Sequence, residues 1–216
     1  MKLFVWDLHG TLEQGNERAV IDLSNQVLAS HGYAQRFRDH HARQLYGLKW
    51  YQYYEHLLPQ QPYVVHLQLQ ADSFALSNTS GVLISRYMRP SDHAMEVLEA
   101  IRTSPHRQIV LSQTVPEALP LYIKALGLQD YFSARNSYAV HAHSREASQT
   151  KTSVLRDLMA TDKPEKIVVV GDADGDMQLA HDVGGISYLY AHEGYEFRSE
   201  RGDHRTHDLR DVLREL

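Results

Sequence analysis

FVWDLHGTL, residues 4–12, joins an apolar run to an abrupt polar turn. Residues 3–6 are apolar and Asp7 follows at once, a length and a boundary typical of a buried β-strand. A carboxylate at such a strand end lies where open α/β sheets bind their ligands, outside the carboxyl ends of the strands. Gly10 would let the backbone approach a bound anion closely, and Thr11 adds a hydroxyl. The stretch therefore predicts one wall of a ligand site.

The composition limits the class of protein. The 216 residues suffice for one domain, or for a core domain with a small insertion. A net charge of −5 without any basic block argues against non-specific binding to nucleic acid. The absence of cysteine excludes disulfides and thiolate metal sites. No apolar run is long enough to span a bilayer and no signal-peptide pattern opens the chain, so we expect no membrane association and a cytoplasmic location.

Histidine is abundant, with fourteen residues, but it does not form a recognisable metal motif. The scattered members, among them His66 and His106, lack the paired spacing of a zinc protease helix. His141 and His143 could lie on one strand face, but no third ligand is near in the sequence. We expect these side chains to lie at the surface.

The chain from residue 16 to about residue 87 shows helical rather than strand-like spacing. Glycine and proline divide it into amphipathic pieces, which indicates a helical module of about seventy residues inserted between two strands. The predicted pieces are one that ends at Gly32, one over about 35–46, one over 49–58 and one from Pro62 to about 77.

From residue 89 onward, apolar strand-like runs alternate with helical patterns. This alternation predicts an α/β fold in which a parallel, Rossmann-like sheet is covered by helices on both faces. Strands are expected at 108–111, 166–170 and 186–190, with irregular structure that contains strand pieces at 131–143 and a loop at 191–207. Helices are expected after a cap at Ser91 or Asp92, with Met95 on the apolar face, and from near Pro116, Thr150, Met177 and Asp208.

Polar side chains occur where these predicted elements end or begin. Asp7 and Ser112 each follow a strand, Lys151 starts a helix, and Asp172 and Asp176 follow the strand at 166–170. In a parallel sheet the carboxyl ends of the strands lie at one edge, so these groups would converge. Taken singly, each could be a turn residue, a solvated lysine or a helix cap.

Together, these residues resemble the four motifs of the haloacid dehalogenase-like phosphohydrolase superfamily in their usual order. The resemblance covers residues 1–12 and 89–216, and it is closest to the phosphoglycolate phosphatase-like members that carry a helical C1-type cap. The matches are Asp7 and Thr11 for motif I (D-x-D-x-T/V), Ser112 for motif II, Lys151 for motif III, and Gly171, Asp172 and Asp176 for motif IV (G-D-x-x-x-D).

The resemblance implies a core domain of residues 1–14 and 89–216, a cap domain of residues 15–88, and hydrolysis of a small phosphorylated metabolite through an aspartyl-phosphate. It implies Mg²⁺ as cofactor, which suits a site of oxygen ligands. The implied catalytic residues are Asp7, His9, Ser112 and Lys151. The implied phosphate-binding residues are Gly10, Thr11, Ser112, Gln113 and Lys151. The implied metal ligands are Asp7, the main-chain carbonyl of His9, Asp172 and Asp176, with Asp174 a weaker candidate.

His9 departs from the family pattern, because the second motif I acid usually acts as the general acid/base. A histidine can both give and take a proton near neutral pH, and nearby negative charges would raise its pKa. One hypothesis is therefore that His9 is the general acid/base, active at mildly acidic to neutral pH. The other is that His9 points away and turnover is slow or absent.

Three alternatives remain open from the sequence. Dehalogenases of the family need no Mg²⁺, and the full acidic motif IV argues against that activity. A phosphonate hydrolase would need a Schiff-base lysine in the cap, where Lys49 is the one lysine. A phosphate- or nucleotide-binding regulatory protein, disabled at His9, is also compatible with the fold. Cap side chains that either contact substrate or belong to solvated faces and the core are Arg43, Lys49, His40 and Tyr51. The sequence does not indicate an oligomeric state.

Overall fold

The computed structural model describes residues 1–79, 85–140 and 150–216. Two compact units are present, one formed by Met1–Gln14 with Pro90–Leu216 and the other by Gly15–Arg89. His141 and His143 lie outside the described residues. Among the described helices, none combines the length and apolar character that a transmembrane segment needs.

The larger unit is built on six parallel strands in the spatial order β5-β4-β1-β6-β7-β8. The predicted α/β fold with a Rossmann-like parallel sheet is confirmed. The strands of the described residues are β1 (Lys2–Trp6), β2 (Glu13–Gln14), β3 (Arg89–Pro90), β4 (Arg107–Ser112), β5 (Ser137–Ala139), β6 (Lys166–Gly171), β7 (Ile186–Tyr190) and β8 (His204–Thr206).

Helices follow the strands of this unit and cover the sheet. Among the helices whose bounds the structure describes, four belong to the smaller unit and four to the larger: α1 (Asn16–Ser30), α2 (Asp39–Gln44), α3 (Trp50–Leu57), α4 (Tyr63–Thr79), α5 (Ala94–Arg102), α6 (Leu119–Ala125), α7 (Lys151–Asp162) and α8 (Asp174–Asp182). A 3₁₀-helix, η1 (Leu209–Glu215), closes the chain.

The core of the larger unit explains why its strands are apolar throughout. Leu3 and Val5 of β1 pack with residues of β4, β6, α7 and α8, while Phe4 and Trp6 are buried as well. Successive side chains of a strand point to opposite faces, so burial of all four means that both faces are covered. Helices therefore cover both faces of the sheet, and its carboxyl edge is left for a ligand.

The smaller unit has its own core, formed by the apolar faces of α1 to α4. Trp50 donates a hydrogen bond from Nε1 to Ser24 Oγ at 2.6 Å and packs edge-to-face on Phe74. His66 is buried and hydrogen-bonds the Leu58 carbonyl through Nε2 at 3.0 Å, so its expected surface position was wrong. The cap role proposed for residues 15–88 stays a prediction.

Several boundaries differ from expectation for local reasons. His93, in the left-handed conformation with φ 62°, is the N-cap of α5 in place of Ser91 or Asp92. Met95 is 38% exposed, so it does not lie on the buried face. The segment 191–207 contains β8, a strand too short to show alternation. Helix α6 begins later than Pro116, at Leu119, and helix α8 begins earlier than Met177, at Asp174.

The core of the larger unit can be tested with matched leucines. Leu155 on α7 is fully buried, whereas Leu121 on α6 is 44% exposed. Leu155→Ala should lower the free energy of unfolding by about 2–5 kcal/mol because it leaves a cavity. Leu121→Ala should change it by about 0.5 kcal/mol or less. The measurement is urea unfolding followed by Trp6 fluorescence in a Trp50→Phe background; equal losses in both variants would contradict the assigned core.

Candidate active site at the carboxyl edge of the sheet

The strand order fixes where a ligand can reach the sheet. The chain runs from β1 outward to β4 and β5 and then returns to β6 on the other side of β1. Trp6 pairs in register with Val110 of β4 and Val170 of β6, so Asp7, Ser112 and Asp172 follow at the same edge. Open α/β sheets bind ligands at this kind of topological switch point.

The turn after β1 is stabilised by hydrogen bonds to a single carbonyl group, that of Leu8. Asp7 N donates to Val170 O at 2.9 Å, which extends the pairing of β1 with β6 by one residue. The Leu8 carbonyl accepts from the backbone N–H groups of Thr11, Leu12 and Glu13 at 3.3, 3.0 and 3.1 Å. Gly10 has φ 83°, a conformation that residues with a Cβ rarely adopt. The glycine is therefore required by the turn itself.

Three carboxylates meet behind this turn. Asp7, Asp172 and Asp176 are 8%, 4% and 4% exposed, and each offers an oxygen within 4.8 Å of the others. Lys151, the first residue of α7, donates from Nζ to Asp7 Oδ1 at 2.5 Å and to Asp176 Oδ1 at 2.7 Å. The ammonium thus bridges two of the three acids, which would otherwise repel each other.

A second cation comes from a segment in which no site residue was predicted. Arg198, between β7 and β8, donates from Nη1 to Asp172 Oδ2. Asp174, the weaker candidate for a metal ligand, is exposed and instead accepts from Ser199 Oγ at 2.8 Å and pairs with Arg201 at 3.5 Å. The sequence gives no signal for Arg198, because the positions of side chains in a polar loop of this length depend on the tertiary fold.

The cluster shifts the pKa values of its members. Burial opposes the charge of Lys151, but the carboxylates of Asp176 and Asp7 outweigh that effect and raise its pKa. Burial is the main cause that raises the pKa of Asp172, to about 7; Arg198 acts against it and the neighbouring carboxylates add to it. Burial also raises the pKa of Asp176. The positive charges of Lys151 and Arg198 are therefore too few to balance three ionised acids in this space.

Gly171 is a further residue whose role was not predicted. A Cβ built on it would lie 2.3 Å from the Cβ and Cγ atoms of Asp176, far inside contact distance. The Asp176 side chain lies against this glycine, and its Oδ2 accepts from Ala173 N at 3.3 Å. Gly171 therefore leaves the space that allows Asp176 to reach Lys151.

Buried hydroxyls line the same edge. Ser112 is 1% exposed and Thr11 is fully buried, and neither hydroxyl has a hydrogen-bond partner within the part of the chain that the structure describes. A buried hydroxyl without a partner costs free energy, so these two groups would gain from a hydrogen bond to a ligand at this edge. Gly10 is buried in the same turn, whereas the Gln113 side chain is exposed.

His9 does not point freely into solvent. Its Nδ1 lies 3.0 Å from Oε1 of Glu13, which is 1% exposed, and its ring packs edge-to-face on Tyr122 with centroids 4.9 Å apart. Burial opposes the charge of His9, but the hydrogen bond with Glu13 and the charges of Glu13, Asp7 and Asp172 outweigh that effect and raise its pKa. The sequence prediction missed Glu13, although the His-x-x-x-Glu spacing was visible.

The donor set fits a hard divalent cation. Asp7, Asp172 and Asp176 offer only oxygen atoms, the ligand type that Mg²⁺ prefers, and waters and a substrate phosphate can complete its coordination. A divalent cation would also supply the positive charge that three buried carboxylates lack. The oxygen-rich cluster is therefore chemically suited to Mg²⁺.

The expected substrate contacts of the smaller unit fall into two groups. Tyr51 is 6% exposed and packs edge-to-face on Tyr63, so it belongs to the core of that unit. Arg43 and His40 are exposed, and Lys49 is half-buried at the start of α3. For Tyr51, a place in the core therefore fits better than a contact with substrate.

Comparisons with known proteins agree with this geometry. A family model described as haloacid dehalogenase-like hydrolase matches residues 1–184. Comparison with curated proteins gave no match. Solved structures with the same fold include a predicted phosphoglycolate phosphatase from Haemophilus somnus 129pt, with 16% identity, a TM-score of 0.77, and coverage of 100% of this chain and 97% of that chain.

Two other structures are similar over nearly the whole chain. A haloacid dehalogenase-like family protein from Streptococcus pneumoniae has 17% identity and a TM-score of 0.72, and the match covers 99% of this chain and 97% of that one. CbbY from Rhodobacter sphaeroides, solved in complex with phosphate, has 14% identity and a TM-score of 0.69, with coverage of 97% and 95%. At these identities the likeness establishes the fold.

The contact between Gly171 and Asp176 can be tested with a neighbouring glycine. Gly171→Ala should lower the free energy of unfolding by about 1–3 kcal/mol, because the new methyl group displaces the Asp176 side chain. Gly175→Ala is the control, since a Cβ there meets no atom within 4 Å and the residue is helical. It should stabilise the protein by about 0.4–1 kcal/mol. Urea unfolding measures both; a neutral Gly171→Ala would contradict the contact.

The raised pKa of Asp172 predicts an unusual pH dependence. The folded protein keeps a proton on Asp172 up to about pH 7, while the unfolded chain loses it near the ordinary value of 3.8. The contribution of Asp172 to the free energy of unfolding therefore falls as the pH rises through this window. Asp172→Asn should flatten that part of the slope when urea unfolding is measured between pH 5 and 8 with a chelator. Parallel slopes would contradict the shift.

Proposed function

Because the chain belongs to the haloacid dehalogenase-like hydrolase family, we propose that it is a Mg²⁺-dependent phosphatase for a small phosphorylated metabolite. One observation carries the proposal: the Lys151 ammonium bridges Asp7 and Asp176, with Asp172 beside them, at the sheet edge where ligands bind. A buried carboxylate beside a fixed cation and unpartnered hydroxyls suits attack on an anionic ester.

Asp7 is the nucleophile in this proposal. One of its carboxylate oxygens attacks the phosphorus atom, the bond from phosphorus to the ester oxygen breaks, and His9 gives a proton to the departing oxygen. The hydroxyls of Ser112 and Thr11 and the backbone near Gly10 hold the phosphoryl oxygens. Gln113, although its side chain is exposed, stays a predicted backbone contact.

The second half of the reaction restores the enzyme. A water molecule attacks the phosphorus atom of the aspartyl-phosphate, and His9, now neutral, takes the proton of that water. The bond between phosphorus and the Asp7 oxygen breaks, which releases inorganic phosphate and the free carboxylate. Lys151 stays charged throughout because its pKa is raised, and it stabilises the negative charge that grows at the transferred group.

Four groups are proposed to hold Mg²⁺: Asp7, Asp172, Asp176 and the main-chain carbonyl of His9. When bound, the cation supplies positive charge against the carboxylates and the phosphate and helps to orient the ester for in-line attack. Arg198 pairs with Asp172 in the structure, so this ion pair competes with the metal for that carboxylate.

The substrate class is supported by the names of structural neighbours, one a predicted phosphoglycolate phosphatase and one a phosphate complex. We propose that residues 15–88 act as a cap that selects the substrate and excludes water, and that the protein acts in the cytoplasm. A regulatory protein that binds phosphate, or a phosphonate hydrolase that uses Lys49, would be distinguished by the assay below.

The proposed nucleophile can be tested beside an exposed acid of the motif IV segment. Asp7→Asn should lower kcat for p-nitrophenyl phosphate by at least about 10³-fold, because the amide cannot form the covalent intermediate. Asp174→Asn alters an exposed carboxylate outside the buried cluster, so this variant should retain activity within about threefold. Phosphate release with and without Mg²⁺ measures both.

The choice of control rests on exposure. The Asp174 side chain is 57% exposed and its contacts are with Ser199 and Arg201, so it lies outside the buried acidic cluster. Two outcomes would favour an alternative function. If the wild-type protein releases no phosphate at any pH, with or without Mg²⁺, a regulatory protein that binds phosphate is favoured. Release from a phosphonate but not from esters, abolished by Lys49→Arg, would favour the phosphonate hydrolase.

A further inference from the structure

The pairing of His9 with Glu13 is not part of the family pattern described above. The two side chains stand four residues apart in the turn after β1, with Nδ1 and Oε1 3.0 Å from each other. The Glu13 side chain is 1% exposed, whereas that of His9 is 24% exposed. A carboxylate is seldom buried to this degree without a partner that offsets its charge, and His9 provides one.

The backbone holds Glu13 in place independently of this pair. Glu13 N donates to the Leu8 carbonyl at 3.1 Å, in the same turn that the left-handed Gly10 makes possible. On another side, the His9 ring packs edge-to-face on Tyr122 of α6. The imidazole is therefore restrained both by a hydrogen bond and by an aromatic contact.

The hydrogen bond also selects between the two ring nitrogens. A carboxylate can only accept, so Nδ1 of His9 carries the hydrogen that it donates to Glu13. Nε2 is then the nitrogen that can exchange a proton with a substrate oxygen. An aspartate at this position would need no such selection, because its two oxygens are chemically equivalent.

We propose that Glu13 is a positioning residue for proton transfer by His9: it fixes the orientation of the ring and keeps Nε2 as the working nitrogen. This inference rests on the proposed phosphatase function, and it adds a residue that the four motifs do not contain. It also assigns a reason for the histidine, since His9 and Glu13 act as one unit in place of a single acid.

The test compares two substrates through kcat/KM, which reports the steps up to transfer of the phosphoryl group to Asp7. An alkyl phosphate has a poor leaving group and needs a proton from His9, whereas p-nitrophenyl phosphate has a good one and needs it much less. Glu13→Ala should lower kcat/KM for the alkyl phosphate by about 10²-fold. The loss with p-nitrophenyl phosphate should be less than about tenfold.

Two further variants separate positioning from folding. Glu13→Gln keeps an oxygen that can accept from Nδ1, so it should recover most of the activity that Glu13→Ala loses. Glu96→Gln is the matched control, because Glu96 forms an exposed pair with His93 at 3.2 Å on α5. Glu96→Gln should leave kcat/KM unchanged for both substrates.

A direct readout of the ring does not depend on turnover. In ¹⁵N-histidine NMR at alkaline pH, His9 should carry its hydrogen on Nδ1 in the wild-type protein and should lose this preference in Glu13→Ala. The His9 signals are assigned by their loss in His9→Asn. A mixed tautomer in the wild-type protein would overturn the inference.

The kinetic outcomes are also decisive. Equal losses with both substrates in Glu13→Ala, or no loss with either, would overturn the positioning role. If the wild-type protein hydrolyses neither ester, the proposed function fails, while the NMR experiment still decides whether Glu13 sets the tautomer of His9.

Discussion

The structure depends on how positive charge is supplied to three acids that the sheet buries together. Lys151 bridges Asp7 and Asp176 at 2.5 and 2.7 Å, and Arg198 pairs with Asp172. Like charges at this separation in a poorly solvated site repel each other strongly, so the fold tolerates them only with fixed counter-charges. The same excess of negative charge that makes the cluster energetically unfavourable would favour the binding of a divalent cation.

Much of this arrangement could be anticipated from the sequence, because its causes are local. Apolar runs that end in polar residues identify β1 and β6, and the alternation of strands and helices requires that their carboxyl ends share one edge. The capping residue Thr150, whose hydroxyl accepts from Ser153 N at 3.1 Å, fixes the start of α7 and so places Lys151. Convergence of distant segments therefore follows from topology.

The remainder depends on contacts that no periodicity encodes. Gly171 resembles an ordinary loop residue in the sequence, and the contact with the Asp176 side chain arises only in the folded protein. Glu13 resembles an ordinary turn residue until its burial and its contact with His9 are known. His93 caps α5 through a left-handed backbone conformation, which is rare for a residue with a Cβ. Each of these depends on three-dimensional packing rather than on the pattern.

Arg198 shows that residues outside the four motifs also contribute to the acidic cluster. The family model ends at residue 184, whereas Arg198 lies beyond it, between β7 and β8. The carboxy-terminal segment thus contributes a counter-ion to an acid of motif IV as well as the edge of the sheet. Sequence changes there can alter the charge balance around Asp172 without changing any residue of the four motifs.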